Sequence, residues 1–463
     1  MSLDEMGQAV MTRLADLLAG LPRLSEMSNG HERSTDGLVE RMLRPPGEEP
    51  AELGALLDTF EVAAEHALDT AGPGYLAYFP AGGLFSSAFA ELLAQAYNRY
   101  TAVAELAPAL VALEHGIMKW LAGLFGLPDT AIGVMTTGGS MATLVAMVAA
   151  RDHMLGDDIA SGTVYVTEHT HFCVAKAARI AGLRTHQLRT VPVSGLRMDP
   201  VQARSMITAD RARGLRPFLL VGTAGSTSTG TIDPLPELAE LSGQEDLWFH
   251  VDAAYGGGFQ LTARGSERLA GIECASSIAV DPHKTLFVQY GTGVVLVRDP
   301  VALQAAHSGG GDYLQDLGTA AGLPDYGHLG PELTREFRGL RLWLPLHLHG
   351  VAAFRAALDE KLDLATIAYR ELAADARFEV PGPPDLTVVI FRLRGDDEPN
   401  LRLLEHINGT GRIFLSSTRV DGRYFLRLNP TSHRTHATHV HEAVALIRDS
   451  ADAVHGNAGG ATR

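Results

Sequence analysis

Cysteine is almost absent from this 463-residue chain: Cys173 and Cys274 are the only two. Two thiols cannot build a disulfide framework, which suits a reducing cytoplasm. Positive charge is scarce as well. Lys and Arg total 38 against 54 Asp and Glu, a net charge of −16, and no long basic run occurs. Nucleic acid and anionic membranes are therefore not expected partners. Long apolar runs are missing too. The opening MSLDEMGQAVMTRLADLL carries acids early and has no uninterrupted apolar core, so neither a signal peptide nor a membrane span is expected. What is present is ordinary for a soluble intracellular protein, with 46% hydrophobic and 20% charged residues. The length suits one large α/β domain with satellites.

Met6, Val10, Leu14, Leu17 and Leu18 follow helical spacing, so the chain should open with an amphipathic helix. Residues 31–50 are polar and run into Pro45-Pro46-Gly47, which reads as a linker. A helical pattern resumes over 51–69 and breaks at AGPGYLAYFPAGG, an ordered loop by its glycine, proline and aromatic content. From about residue 105, helical segments alternate with short β-branched ones: TVYVT, THQLRTV, PFLLVGT, LWFHVDA, SSIAVD and TGVVLV. Such alternation predicts a mostly parallel sheet covered on both faces, with ligands beyond the carboxyl ends of its strands. Residues 307–330 hold seven glycines and read as a long mobile loop. After about 340, one long helical stretch leads to two-faced strands, with Asp421-Gly422 as a hairpin signal. The expected division is an N-terminal helical segment (1–75), a large α/β domain (76–340) and a small α+β domain (341–463).

Four stretches at strand ends carry chemistry. In TTGGSMATL, a glycine turn with Gly139 and Ser140 opens a helix, a natural seat for phosphate, though a serine-capped turn would look the same. FHVDAAYGG ends a buried strand in Asp252, a costly carboxylate unless a cation or donors meet it. TEHTHFCVAKAA offers His169 and His171, which could cover a flat ligand or simply cap the next helix. A Cys173–histidine nucleophile would need a third, orienting group, and none is visible. VDPHKTLF places His283 and Lys284 where an apolar run ends, and a lysine held among apolar groups becomes an amine nucleophile toward carbonyls. A phosphate cradle, a strand-end aspartate, a histidine and a reactive lysine together are the requirements of pyridoxal 5'-phosphate.

With these motifs in order, the chain resembles the group II pyridoxal-phosphate-dependent amino acid decarboxylases, those similar to aromatic-L-amino-acid decarboxylase. The resemblance covers roughly residues 50–450, through GYLAYFPAGG, GGSMATLVAM, THFCVAKAARIAG, GSTSTGTIDP, FHVDAAYGG, DPHKTLF and PDYGHLG…EFRGLRLW. It implies an aspartate-aminotransferase-like (fold type I) large domain with a mostly parallel seven-stranded sheet, an N-terminal helical segment, a small C-terminal α+β domain and a homodimer. It also implies Lys284 as the Schiff-base lysine, Asp252 as partner of the pyridine nitrogen and His171 as the ring-stacking histidine. Gly139 and Ser140 would hold phosphate beside His283, with Thr227 and Ala254 near the cofactor. Tyr326 matches the family's loop tyrosine, eleven residues before Phe337, and reaches across a dimer interface in relatives. Tyr78, Phe79 and Pro80 match the substrate-pocket strip, and with Tyr100 they suit an aromatic or bulky neutral amino acid.

Two positions depart from the aromatic branch: Asp281 stands where asparagine is usual, and Ala81 replaces a threonine. A carboxylate beside a phosphate is repulsive unless turned away or protonated, so Asp281 is not expected to touch the cofactor. The four histidines of HRTHATHVH open a C-terminal helix without acid or thiol ligands nearby in sequence, and no metal is expected. The expected activity is decarboxylation of an L-amino acid to its amine and carbon dioxide. An aldehyde synthase, a decarboxylase of a small or acidic amino acid, an aminotransferase and a non-catalytic scaffold remain as alternatives.

Overall fold

The computed structural model describes residues 2–20, 37–80, 82–309, 320 and 322–458, so Ala81 and most of the glycine-rich stretch, 310–319 and 321, lie outside the described residues. Two compact units emerge. One comprises residues 83–362 and 384–387, the other residues 1–82, 363–383 and 388–463. Where the sequence suggested boundaries near 75 and 340, the chain passes between units at 82/83 and 362/363, and the N-terminal segment clusters with the C-terminal one.

The larger unit is built on seven strands: β1 (Ile132–Thr136), β2 (Gly162–Val166), β3 (Leu188–Thr190), β4 (Arg216–Thr223), β5 (Trp248–Asp252), β6 (Ser277–Val280) and β7 (Gly293–Val297). Their order is β1-β7-β6-β5-β4-β2-β3. Every neighbouring pair is parallel except the two made by β7. Runs such as Leu219-Leu220-Val221 and Val294–Val297 are buried throughout, as strands covered on both faces require. The helix Gly139–Leu155 is apolar on nearly all sides, with Ala142, Val145, Ala146, Ala149 and Ala150 in the main core cluster. This is the doubly covered, mostly parallel sheet expected from the alternating pattern.

Near the middle of that sheet, β5 buries His250 completely, with Nδ1 2.8 Å from Ser277 Oγ. Burial pushes its pKa from 6.5 down to about 4, against an opposing pull from Asp252. Such a histidine is neutral in the fold and charges first in the unfolded chain. Its share of stability, about 3 kcal/mol, is whole above pH 6.5 and is lost as pH falls toward 4. Urea unfolding should therefore show a falling free energy from pH 7 to 4.5, with a shallower fall in His250→Gln. Equal slopes for the two proteins would contradict this.

In the other unit, a four-stranded antiparallel sheet runs in the order Phe378–Glu379, Val389–Leu393, Arg423–Leu428, Ser416–Val420. The expected hairpin forms at Asp421 and Gly422, both with positive φ (50° and 75°), as a tight turn between twisted strands demands. Residues 72–77 are buried against this sheet: Leu76 N–H donates to Phe414 O at 3.0 Å, and Asn429 N–H donates to Leu76 O at 2.8 Å. The described residues 72–77 of the loop are held in place, as its composition suggested. In HRTHATHVH, His439 Nδ1 accepts from the His436 amide at 3.0 Å at the start of the helix Ala437–Ala458.

Three local expectations change. The region read as a linker contains a short helix, Leu38–Met42. The long helical stretch after 340 is two helices, Gly339–His349 and Val351–Ala373, because Gly350 adopts φ 75° and ends the first. The loop at 307–330 is also not open along its described end. Asp325 accepts the Ala104 amide at 2.7 Å and Gly327 N–H donates to Ala102 O at 3.0 Å, which fastens the turn Tyr326–His328 to the body of the unit.

Candidate active site

Parallel strands deliver their last residues to one edge of a sheet, and here that edge surrounds a cavity of about 300 Å³. β1 continues into Thr137, Gly138, Gly139 and Ser140; β2 leads to His171 and Cys173; β4 leads to Thr223, Gly225 and Thr227. β5 ends in Asp252 with Ala254 just beyond, and β6 ends at Asp281, His283 and Lys284. The cavity thus gathers eight sequence-selected residues, Lys284, Asp252, His171, Gly139, Ser140, Thr227, Ala254 and His283.

The glycine turn is shaped by close approach. Gly138 has φ 151°, and a Cβ on its neighbour Gly139 would stand 2.9 Å from Asp281 Oδ2 and 3.0 Å from Ala254 Cβ. The helix Gly139–Leu155 therefore starts on a residue without a side chain, and its first residues, Gly139, Ser140 and Met141, line the cavity. His283 sits beside it: its Nδ1 donates to Thr292 O at 2.7 Å, which leaves Nε2 as the acceptor nitrogen. Burial holds its pKa below the usual histidine value, against Asp281 and the Thr292 contact.

His171 is the N-cap of the helix Phe172–Ile180, where its Nδ1 accepts the Cys173 amide at 3.3 Å. Burial also lowers its pKa, opposed by Asp252 and reinforced by Lys284. A neutral ring fixed from behind is suited to lie against a flat aromatic ligand. Asp252 is buried and accepts the Ala254 amide at 3.1 Å through Oδ1. Lys284 lies on the short helix Pro282–Thr285, with its ammonium 3.0 Å from Asp281 Oδ2.

Asp281, which is not expected from the sequence to touch the cofactor, has a buried carboxylate that lines the cavity. The periodicity of β6 reveals that the residue is near a strand end, but not the side to which its carboxylate turns. Cys173 also lines the cavity, and burial followed by the negative charge of Asp252 pushes its thiol up to about 12. It stays protonated, so it is not an available nucleophile.

The remaining predicted residues are not among those lining this cavity. Tyr326 is 1% exposed within the main core cluster, its ring 4.6 Å from the Arg335 guanidinium carbon and its hydroxyl without a hydrogen-bond partner among the described residues. Burial and the negative charge of Glu114 raise its pKa, against Arg335. Tyr78, Phe79 and Pro80 belong to the other unit, where Tyr78 is 50% exposed and Phe79 is buried with the Arg427 guanidinium 5.7 Å from its ring. Tyr100 is half-buried in the larger unit.

A family model described as the pyridoxal-dependent decarboxylase conserved domain matches residues 47–394. The chain belongs to that family. Among curated relatives, the aromatic-L-amino-acid decarboxylase of Bacillus atrophaeus is 34% identical over 392 residues, 82% of each chain. Tryptophan decarboxylase 2 of Oryza sativa subsp. japonica is 29% identical over 479 residues, 98% of this chain and 95% of the relative. A crystal structure of Oryza sativa TDC with PLP and tryptamine superposes with a TM-score of 0.91 at 27% identity, covering 98% of both chains. That of Rhodiola rosea 4-hydroxyphenylacetaldehyde synthase gives 0.89 at 26%, covering 98% of this chain and 99% of the other.

This decarboxylase accordingly has the aspartate-aminotransferase-like fold and uses pyridoxal phosphate to decarboxylate an amino acid. Its cavity fits the cofactor on structural grounds. Gly139 and Ser140, at the start of a helix, line the same cavity as the lysine amine and the strand-end aspartate. Thr223 Oγ1 and Asp281 Oδ1 are buried there without hydrogen-bond partners among the described residues, polar atoms that a polar ligand would satisfy. Among the described residues, no helix is long and apolar enough to cross a membrane.

Proposed function

We propose that this pyridoxal-dependent decarboxylase converts an aromatic L-amino acid to the corresponding amine and carbon dioxide, as a cytoplasmic homodimer. The observation that carries the reading is the single cavity uniting Lys284, Asp252, His171 and the Gly139 turn. The aromatic lean draws on relatives named as aromatic-amino-acid, tryptophan and tyrosine decarboxylases. The described residues lining the cavity include no arginine and no lysine besides Lys284, which is taken up by the cofactor, so none is left over to pair with an acidic side chain.

In this reading Lys284 bonds the cofactor, Asp252 holds the proton on its ring nitrogen and neutral His171 covers its face. Gly139, Ser140 and His283 seat its phosphate, while Thr227 and Ala254 border the ring. Pyridoxal phosphate supplies the electron sink for the pair left when carbon dioxide departs. Tyr326 is read as delivering the proton to the substrate Cα in the partner's site; it is 1% exposed in its own chain, so the turn Tyr326–His328 would have to open for its hydroxyl to reach that site. Tyr78, Phe79, Pro80 and Tyr100 would shape the substrate pocket of the assembled enzyme.

Apolar surface supports assembly. Leu92, Leu93, Tyr97 and Leu106 are exposed, and a second cavity of about 370 Å³ is lined by Leu93, Tyr97, Leu110, Phe337 and Leu340. The helix Leu53–Glu65 buries none of its residues and leaves Leu56 and Phe60 exposed. Keeping both His171 and Tyr326 favours amine over the aldehyde-forming alternative.

Two experiments test this. A panel of L-amino acids should yield amine and carbon dioxide in equal amounts from tryptophan, tyrosine or phenylalanine and little from glutamate; preference for glutamate would overturn the substrate class. Tyr326→Phe should still release carbon dioxide but lose at least about tenfold in amine yield, as removal of a general acid predicts. The shortfall would appear as aldehyde, ammonia and consumed oxygen. Mixing inactive Lys284→Ala with Tyr326→Phe protomers should restore one working site. Unchanged amine yield, or no complementation by an exchanging dimer, would remove Tyr326 from the partner's site.

A further inference from the structure

The least expected feature of the cavity is Asp281. Its side chain is 3% exposed, Oδ2 lies 3.0 Å from Lys284 Nζ and 3.8 Å from His283 Nε2, and Oδ1 has no hydrogen-bond partner among the described residues. The carboxylate stands against the first turn of the helix Gly139–Leu155, 2.9 Å from where a Gly139 Cβ would be. A negative group therefore occupies the anion-binding end of the cavity and is paired with the very amine that must bond the cofactor. Both arrangements oppose loading. A phosphate brought to Gly139 would meet a like charge, and an ammonium cannot bond an aldehyde.

One proton transfer relieves both. We propose that Asp281 is the internal counter-anion of the unloaded site and that, as the cofactor enters, it takes up a proton and becomes a neutral donor to the phosphate. At 3.0 Å it is placed to take that proton from the Lys284 ammonium. Lys284 becomes the neutral amine, whose lone pair then attacks the cofactor's aldehyde with loss of water, and the Asp281 O–H replaces a repulsive oxygen pair with a hydrogen bond. Asp281 is thus a positioning residue that couples cofactor loading to protonation. This rests on the proposed phosphate seat at Gly139 and Ser140.

The other titratable groups lining the cavity with Asp281 are His283 beside it, Lys284 one turn on, Asp252 and Tyr255 at and beyond the end of β5, and His171 and Cys173 beyond β2. All are retained in Asp281→Asn, so the ratio of wild-type to variant dissociation constants isolates Asp281. Cofactor binding to each protein, read by visible absorbance between pH 6 and 9, should give a ratio that rises with pH. The slope should approach tenfold per pH unit while one extra proton is bound in the loaded wild-type site. In weakly buffered solution, wild-type protein should take up one more proton per site on loading than the variant does. With pyridoxal, which lacks the phosphate, the ratio should flatten. A ratio independent of pH, tighter binding by wild type throughout, or the same slope with pyridoxal would overturn the proposal. Ser140→Ala separates the two readings: it should weaken pyridoxal phosphate and spare pyridoxal. If it affects both equally, the phosphate seat itself is wrong.

Discussion

Replacing Lys284 with alanine should abolish the visible absorbance of the bound cofactor and cut turnover by ~10⁴-fold or more, the scale lost when a covalent catalytic group is deleted. The structure makes the expectation specific. Lys284 is the one lysine lining the cavity, held on a four-residue turn directly after β6, and Lys119, Lys176 and Lys361 do not line it. Lys284→Ala also strips the buried Asp281 carboxylate of its ammonium partner, so the unloaded variant should melt below the unloaded wild type. Absorbance and turnover are therefore read at a temperature where circular dichroism shows the variant folded. A variant that retained both absorbance and activity would contradict the assignment.

Asp252→Asn separates binding from chemistry. The amide fits the same space and can still accept the Ala254 N–H, so cofactor affinity should change little. What is lost is the negative charge that keeps the ring nitrogen protonated. That charge acts in a buried place where electrostatic interactions are strong, and its removal should cost about 3 kcal/mol of transition-state stabilisation, on the order of 10²-fold in kcat. The matching sign is that kcat falls while the dissociation constant of the cofactor does not rise in proportion. Near-normal turnover in Asp252→Asn would mean that another group protonates the ring.

Much of this site was legible in the sequence because a parallel α/β sheet converts local motifs into a common location. Each motif sits at a strand end, and all strand ends but that of β7 point the same way, so His171, Asp252 and Lys284 meet although 113 residues separate the first from the last. The hairpin at Asp421-Gly422 was equally readable, since positive φ at both positions leaves few residue choices. Side-chain direction was not readable. The sequence leaves open whether the Asp281 carboxylate turns away or is protonated; in the structure it lines the cavity, 3.0 Å from the amine three residues later. Tyr326 misled in a different way. Glycine content argues for a loose loop, but the backbone bonds of Gly327 and the carboxylate of Asp325 depend on residues more than 200 positions earlier. The long helix after 340 failed at one residue, Gly350, whose positive φ ends it within an otherwise continuous pattern.

The most direct test is chemical. The cofactor-loaded protein should be reduced with borohydride, which fixes an imine as a stable secondary amine, then digested and sequenced by mass spectrometry. The account predicts a phosphopyridoxyl group on the peptide containing Lys284 and nowhere else. Modification of Lys119, Lys176 or Lys361 instead, or an unmodified chain that nonetheless decarboxylates, would contradict it.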